Sequence, residues 1–457
     1  MSSIRTPRVC RAIHQHALAA LMHTLGAGCA LAQAPAPPDT QAIRAVPPAM
    51  PGLTLAALYG RLDQRSPRLA AARLRAEAAA YRVAGARRPA DPQLQLGVMN
   101  YRLPALAPMA VLGMQQLQLM QMVPVAGKLR LGAKVAEAEA LAARARSDDV
   151  RWEQRSRVAM AFYDLYQAAR AARIADETRR LLRDVAATAQ SMYAVGDGAQ
   201  GDILRARVEV ARMTEDIVRM QAMRVAMASR LNGLLDEPLD TAIAEPILPA
   251  LPDSLPPVAA LIREADANRA MIRAGEAEVQ GAVDAERLAR RELWPDLVVG
   301  VQVGQQRGDM GTERMGSLML GATLPVFARD RQLQMRSEAA AMRAMARADV
   351  AAMRAETRAR VAELHADFTR ARNLRALYRS TVLPQAQAAV SASLAAYRVG
   401  RVNLMTLLDN QMTVNRYRQE LFALDAEAGT AIAELEMLVG RELIDANSRA
   451  AREGSAP

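Results

Sequence analysis

Hydrophobic and polar positions along this chain change period in a fixed order, and the order occurs twice. The residues from Arg68 to about Arg87 have helix composition, and the pattern stops before Pro89 and Pro92. Alternation follows in Gln93-Leu94-Gln95-Leu96-Gly97-Val98 and again around Leu117-Gln118-Leu119, which predicts two strands. Pro124-Val125-Ala126-Gly127-Lys128 closes them, and a long Ala/Arg/Glu-rich helix runs from Lys128 to Tyr193. Gly196, Gly198 and Gly201 interrupt it before a further helix to about Leu235. The second half predicts a helix from Val258 to Glu292, a strand over Asp296–Val303, a strand over Leu318–Leu324 and a turn at Pro325-Val326-Phe327. A second long helix then reaches Val399-Gly400, with a kink expected at Pro384, and a last one runs from Leu404 to about Gly440.

The landmarks of the two halves keep a nearly constant spacing. Pro92 and Pro295, like Gly97 and Gly300, lie 203 residues apart; Pro124 and Pro325 lie 201 apart and Gly196 and Gly400 lie 204 apart. Four landmarks of different kinds at one spacing define an internal repeat of helix, strand, strand, very long helix, tight turn, helix. The repeats are placed at 53–235 and 258–443, with 236–257 as a linker and 444–457 as a flexible tail.

The strands alternate aliphatic residues with small or polar ones. Leu297, Val299, Val301 and Val303 share one face, opposite Val298, Gly300, Gln302 and Gly304. Leu318, Leu320, Ala322 and Leu324 oppose Ser317, Met319, Gly321 and Thr323 in the same way. This is the pattern of a transmembrane β-barrel strand, and each run is near the 9–11 residues that a tilted strand needs. Four strands cannot enclose a lumen, and an open strand edge cannot sit in lipid, so several chains must share one barrel. The polar stretch Gln305–Arg314 is expected as the outer connection. Each long helix, at about 66 residues, would be about 100 Å long, with its shorter successor folded back beside it.

Composition narrows the chemistry. Of 457 residues 51% are apolar, yet only four are Phe and two Trp, which suits long Ala/Leu-rich helices better than a thick globular core. The net charge of +11 comes from 59 basic and 48 acidic residues that are widely interspersed, a solvated helical surface rather than a nucleic-acid footprint. Beyond Cys29 the chain has no Cys and a single His, His365, which excludes a His/Cys zinc site and a Cys nucleophile there. No enzyme and no cofactor are expected. Arg5, Arg8 and Arg11, the mostly apolar Ala17–Ala32 and the Ala30-Leu31-Ala32 cleavage pattern mark 1–32 as an export signal, followed by a Pro-rich tether over 33–52. Ala27-Gly28-Cys29 offers lipidation of Cys29 as a second route, although Gly26 stands where a lipoprotein signal usually has Leu.

Twenty-five Met residues raise a metal-handling reading, since thioethers bind Cu(I) and Ag(I). Met213, Met220 and Met227 recur every seventh residue, and Met335, Met342, Met345 and Met353 do much the same, which fits coiled-coil filler. Met120 and Met319, on lumen faces of strands, are better relay candidates.

Two glycine turns, Val195-Gly196-Asp197-Gly198 and Val399-Gly400-Arg401, would each join antiparallel helices at a rod tip. With Asp202-Ile203-Leu204 after the first and Leu404 and Leu407-Leu408-Asp409 after the second, and with Val123–Arg130 as a strand-to-helix exit, the chain resembles the TolC-like outer membrane factors. Within them it most resembles the heavy-metal branch of the cobalt–zinc–cadmium and copper–silver type. The resemblance spans about Leu53 to Leu443 and implies a homotrimer: a shared twelve-stranded barrel in outer-membrane lipid, above a hollow α-barrel that crosses the periplasm. It implies a passive exit duct opened by a periplasmic adaptor and an inner-membrane pump, of resistance-nodulation-division type, exporting metal ions or, alternatively, organic drugs. A periplasmic coiled-coil adaptor or scaffold is the reading from a different class; it leaves the strand pairs unexplained. By the same resemblance Val195, Gly196, Asp202, Leu204, Val399, Gly400, Leu404 and Leu407 carry adaptor docking and tip packing, and Pro124, Gly127, Lys128 and Pro325 form the strand exits. Asp197, Asp202 and Asp409 are the candidate entrance acids, with Asp202 equally suited to a helix start. Thr406 stands where the second copy would match Asp202, so the two tips cannot be chemically identical.

Overall fold

A computed structural model describes residues 52–99, 101–102, 107–108, 114–308 and 311–444. The export signal, Cys29 and the tail from 445 on lie outside them.

The first repeat opens with α1 (Leu55–Arg65), whose N-terminus is capped by the Thr54 hydroxyl accepting from the Ala57 amide. Ser66 ends α1 and caps α2 (Pro67–Ala86), with Pro67 in the first turn where it costs no hydrogen bond. Then come β1 (Gln93–Met99), the two-residue strands β2 (Tyr101–Arg102) and β3 (Ala107–Pro108) that pair at the hairpin tip, and β4 (Met114–Val123). The 67-residue helix α3 (Lys128–Ala194) and α4 (Gln200–Leu234) complete the unit. The second repeat is α5 (Val258–Asn268), α6 (Ala270–Arg291), β5 (Asp296–Gly308), β6 (Gly311–Thr323), α7 (Gln332–Leu377), α8 (Leu383–Arg398) and α9 (Leu404–Val439).

Three expectations need correction. The run 258–292 is two helices, because the backbone at Arg269 is extended, and α1 precedes the helix expected at Arg68. The two breaks correspond, Ser66 with Arg269, so each repeat begins with a helical elbow. The outer stretch 305–314 is mostly strand, because β5 and β6 pair to Gly308↔Gly311 and leave only two residues between them. Where a kink was expected at Pro384, the α-helical ladder is interrupted one turn earlier, by a π-helical turn at Tyr378–Val382, with Pro384 in the first turn of α8.

The repeat is visible in the side chains. Leu58, Val158, Leu165 and Leu231 are buried around α1, α3 and α4; Leu261, Val361, Phe368 and Leu435, 203 or 204 positions on, are buried around α5, α7 and α9. Arg155 pairs with Asp63, and Arg358 with Asp266, at the same spacing. His365 matches the buried Phe162 and is half-buried on α7. Leu58 and Leu62 of α1 lie in one core with Leu231 and Leu235, so this short helix, which the sequence pattern did not predict, packs against the end of the returning one. The linker joins this level: Leu53 and Ile247 exchange backbone hydrogen bonds with the Glu245–Ile247 segment and with Leu53. Gly429 is forced by packing, since a Cβ there would lie 2.2 Å from the Tyr163 ring.

The four longer strands form one antiparallel sheet in the order β1-β4-β5-β6, in which β4 and β5 join the two repeats. Both outer strands, β1 and β6, leave an edge without a partner among the described residues.

Candidate functional site

Register decides what each face of the sheet can meet. Leu94, Leu119, Val301 and Leu318 stand side by side across the four strands, and Leu96, Leu117 and Val303 form the next row. This face is aliphatic and exposed, with Leu96 at 84% and Leu320 at 77%. The opposite face carries Gln95, Gln118, Gln302 and Ser317 in one row and Gln93, Met120, Gly300 and Met319 in the next. Along β4 its side chains Met114, Gln116, Gln118 and Met120 are half-buried where Gln115, Leu117 and Leu119 are exposed. Side chains on that face shield one another, as on the inside of a curve. An exposed aliphatic outer face over a polar and small inner one is the division of a barrel wall between lipid and lumen. No helix among the described residues is long and apolar enough to cross a membrane, so the sheet is the only described element with that character.

The two strand exits differ. In the first, Ala126 and Gly127 take positive φ of 57° and 74°, turning the chain from β4 into α3 within four residues. Lys128 is buried beneath this turn, with its Nζ 2.9 Å from Asp296 Oδ1, 3.3 Å from Glu292 Oε2 and 2.9 Å from the Trp294 carbonyl oxygen. It thus ties the first exit to the start of β5. At the second exit, Pro325–Arg331 is a series of turns in which Val326 and Phe327 are exposed, and none of the described residues there repeats the Lys128 contacts.

At the far end the helices meet in a third core of Leu182, Val185, Ala189, Ile203, Ala206, Met213, Tyr397, Leu404, Leu407 and Leu408. Gly196 and Gly400 adopt φ of 85° and 71°. The next amide in each, Asp197 or Arg401, donates 2.9 Å back to the carbonyl of Met192 or Ala396. Both are Schellman turns, which only glycine enters freely. The predicted tip residues separate into two sets. Leu404 and Leu407 are buried in the core, so they pack the tip rather than face a partner, whereas Val195, Leu204 and Val399 are exposed. Asp202 sits in the first turn of α4, and Thr406 in the first turn of α9, where the Asn403 side chain caps its amide at 2.9 Å. Burial and then the nearby Asp202 carboxylate raise the Tyr397 phenol above its ordinary value. Ile203 of the first hairpin and Tyr397 and Leu404 of the second share one buried core, so the two hairpins pack together. Asp197 and Asp409 are exposed, and no group of three or more acidic, His or Cys side chains converges on a metal-sized site among the described residues.

Two functional features were not read from the sequence. Asp425 of α9 is buried, 2.6 Å from Arg375 Nε and 3.6 Å from Arg379 in the π-helical turn. Burial raises its pKa and the two arginines oppose that rise. The π-turn itself had a signal: buried pairs are 203 apart up to Ala168/Ala371 and 204 apart at Ala189/Ser393, so one extra residue lies between.

The fold and its faces define a membrane channel subunit whose wall is incomplete in one chain. The sequence matches the family model of outer membrane efflux proteins over residues 58–236 and 261–441, one match per repeat, and the chain belongs to that family. It is therefore an outer-membrane transport protein of a bacterial cell. It is 22% identical over 323 residues, 70% of this chain and 75% of the relative, to the cobalt-zinc-cadmium resistance protein CzcC of Cupriavidus metallidurans. The fold matches that of the outer membrane protein VceC of Vibrio cholerae with a TM-score of 0.71 at 18% identity, covering 85% of this chain and 96% of that one. It also matches CusC with a TM-score of 0.73 at 17% identity, covering 85% and 92%.

Proposed function

We propose that the chain is one subunit of a homotrimeric, passive exit duct in a tripartite exporter, and that its cargo is metal ions. The observation that carries the assembly is the sheet with two unpaired edges and one aliphatic face: in lipid, its edge groups must be satisfied by the next copy, β6 against β1. Two copies would give eight strands, which side chains fill; three give twelve and are the fewest that leave an open lumen. Met335, Met342 and Met345, exposed on α7, and Leu141, exposed on α3, supply apolar helix surface for the neighbouring copies. The exposed Val195, Leu204 and Val399 at the tip face an adaptor, with an inner-membrane pump of resistance-nodulation-division type supplying the energy. The metal reading is supported by the similarity to a cobalt-zinc-cadmium resistance protein.

Detergent extraction of the outer-membrane fraction, followed by mass measurement, tests the assembly. A trimer is expected, and a water-soluble monomer overturns it. A deletion strain exposed separately to copper, silver, zinc, cobalt and hydrophobic drugs tests the cargo. Increased sensitivity to at least one metal is expected. Unchanged metal sensitivity overturns the metal cargo, and sensitivity to drugs alone would assign organic cargo instead.

A further inference from the structure

The inner face of the sheet holds more sulfur than a pore lining requires. All six methionines of the described strands, Met99, Met114, Met120, Met122, Met315 and Met319, lie on the Gln/Gly face, and none lies on the aliphatic face where an apolar side chain would be expected. Two of them are brought together. Met120 and Met319 flank Gly300 in one cross-strand row. Because Gly300 has no side chain, both lean over it: Met319 Cε lies 3.2 Å, and Met120 Cγ 3.3 Å, from the point where a Cβ would stand. The Gln118 amide donates to Met319 Sδ at 3.8 Å, which holds that sulfur on the inner face.

We propose that Met120 and Met319 form a thioether site for a soft monovalent cation, Cu(I) or Ag(I), on the lumen wall, where cargo pauses during exit. This rests on the duct reading and narrows its cargo. Thioether sulfur is a soft, uncharged donor that selects Cu(I) and Ag(I) over zinc and cobalt, which prefer imidazole, thiolate or carboxylate. The neighbours in the adjoining row, Gln95, Gln118, Gln302 and Ser317, are all neutral. The acids of this face stand at its two ends: Asp296, held by Lys128, and Glu313. Two neutral sulfurs bind a monovalent ion weakly enough to release it, which a conduit needs.

The test uses the full-length trimer in detergent with ¹³C-methyl methionine, titrated with silver nitrate in chloride-free buffer. Met120→Leu and Met319→Leu assign the two methyl signals. Both are expected to shift at least tenfold earlier in silver than those of the exposed helical Met342 and Met345, and zinc or cobalt should leave them in place. Gly300→Ala, which puts a methyl group between the two thioethers, should weaken silver binding at least tenfold while the trimer still elutes intact. Should Met120 and Met319 move no earlier than the helical methionines, or should M120L/M319L keep the full complement of tight silver, the site is overturned. The strain assay separates this result from the cargo reading. Metal sensitivity without silver binding removes only the thioether site, and silver binding without any metal phenotype removes only the metal-export role.

Discussion

The two repeats share their core spacing, their α1–α3 and α5–α7 ion pairs and their glycine tips, yet they differ at the strand exit and along the long helix that follows it. In the first repeat, α3 runs unbroken for 67 residues from a tight exit locked by buried Lys128. In the second, a loose exit leads into α7, then a π-helical turn, then α8, with buried Asp425 facing two arginines at that turn. The difference teaches that one half is built on a continuous long helix and the other on a jointed one, from the same repeated pattern.

Breaking the joint should have the largest effect. Asp425→Ala leaves Arg375 without its buried carboxylate and should cost about 3 kcal/mol. Its counterpart in the first repeat, Gln221, is exposed, and Gln221→Ala should stay within about 0.5 kcal/mol. Urea unfolding followed by far-ultraviolet dichroism compares them; equal costs would mean that the Asp425 cluster is not the clamp of the π-turn.

The exits come next. Lys128→Met strands Asp296 and Glu292 without their cation and should cost about 2–3 kcal/mol. Arg331→Met, at the matching position before α7, should cost under about 0.5 kcal/mol. A similar loss at both would show that the second exit has a lock of its own.

A subtler asymmetry lies at Asn232 and Glu436, equivalent buried positions that fasten the chain after α4 and α9 in opposite senses. Asn232 donates to the carbonyls of Leu239 and Thr241, at 3.3 and 2.9 Å, whereas Glu436 Oε1 accepts from the amides of Leu443 and Ile444, at 2.7 and 3.2 Å. Only the second can titrate. Burial raises the Glu436 pKa above its ordinary 4.5, against the pull of those two amides. The folded carboxyl therefore holds its proton to higher pH than the unfolded one, and its contribution to stability falls as pH rises above that ordinary value. Glu436→Gln keeps the accepting oxygen and removes the charge. The variant should be the more stable one at pH 7, and the gap should close as the pH approaches 4.5. A gap independent of pH would show that Glu436 is not the titrating fastener.

Much of this was legible because periodicity reports directly on burial. The alternation in Leu297–Val303 identified the aliphatic face, and the 203-residue spacing identified the repeat before any contact was known. The tips were legible through glycine, since Gly196 and Gly400 must supply positive φ. What escaped was tertiary. Nothing local shows that Lys128 reaches Asp296, 168 positions away, or that Leu404 and Leu407 face inward while Leu204 faces out. The α1 helix was hidden because its Thr54 cap follows a Pro-rich stretch that reads as tether. The elbow at Arg269 lacks the Ser-Pro punctuation that marks its twin at Ser66-Pro67.

A small stability effect should come from what looks like the most disruptive change. A π-turn accommodates one residue more than an α-helix of the same span, and the slip from 203 to 204 places one surplus residue in the second long helix between Ala371 and Tyr397. Ser380, exposed within the turn, is therefore a residue whose deletion should restore a plain α-helix and leave both flanking faces in phase: Phe368 and Ala371 above, Tyr397 below. Deleting the exposed Arg180 from the uninterrupted α3 has no such reserve. It rotates the following residues by about 100° and swings Leu182, Val185 and Ala189 out of the tip core. The Ser380 deletion should change the unfolding free energy by less than about 1 kcal/mol, and the Arg180 deletion should prevent a stable trimer. If the two deletions proved equally damaging, the π-turn would be a register that the packing requires rather than an inserted joint, and the contrast between a continuous and a jointed half would lose its structural origin.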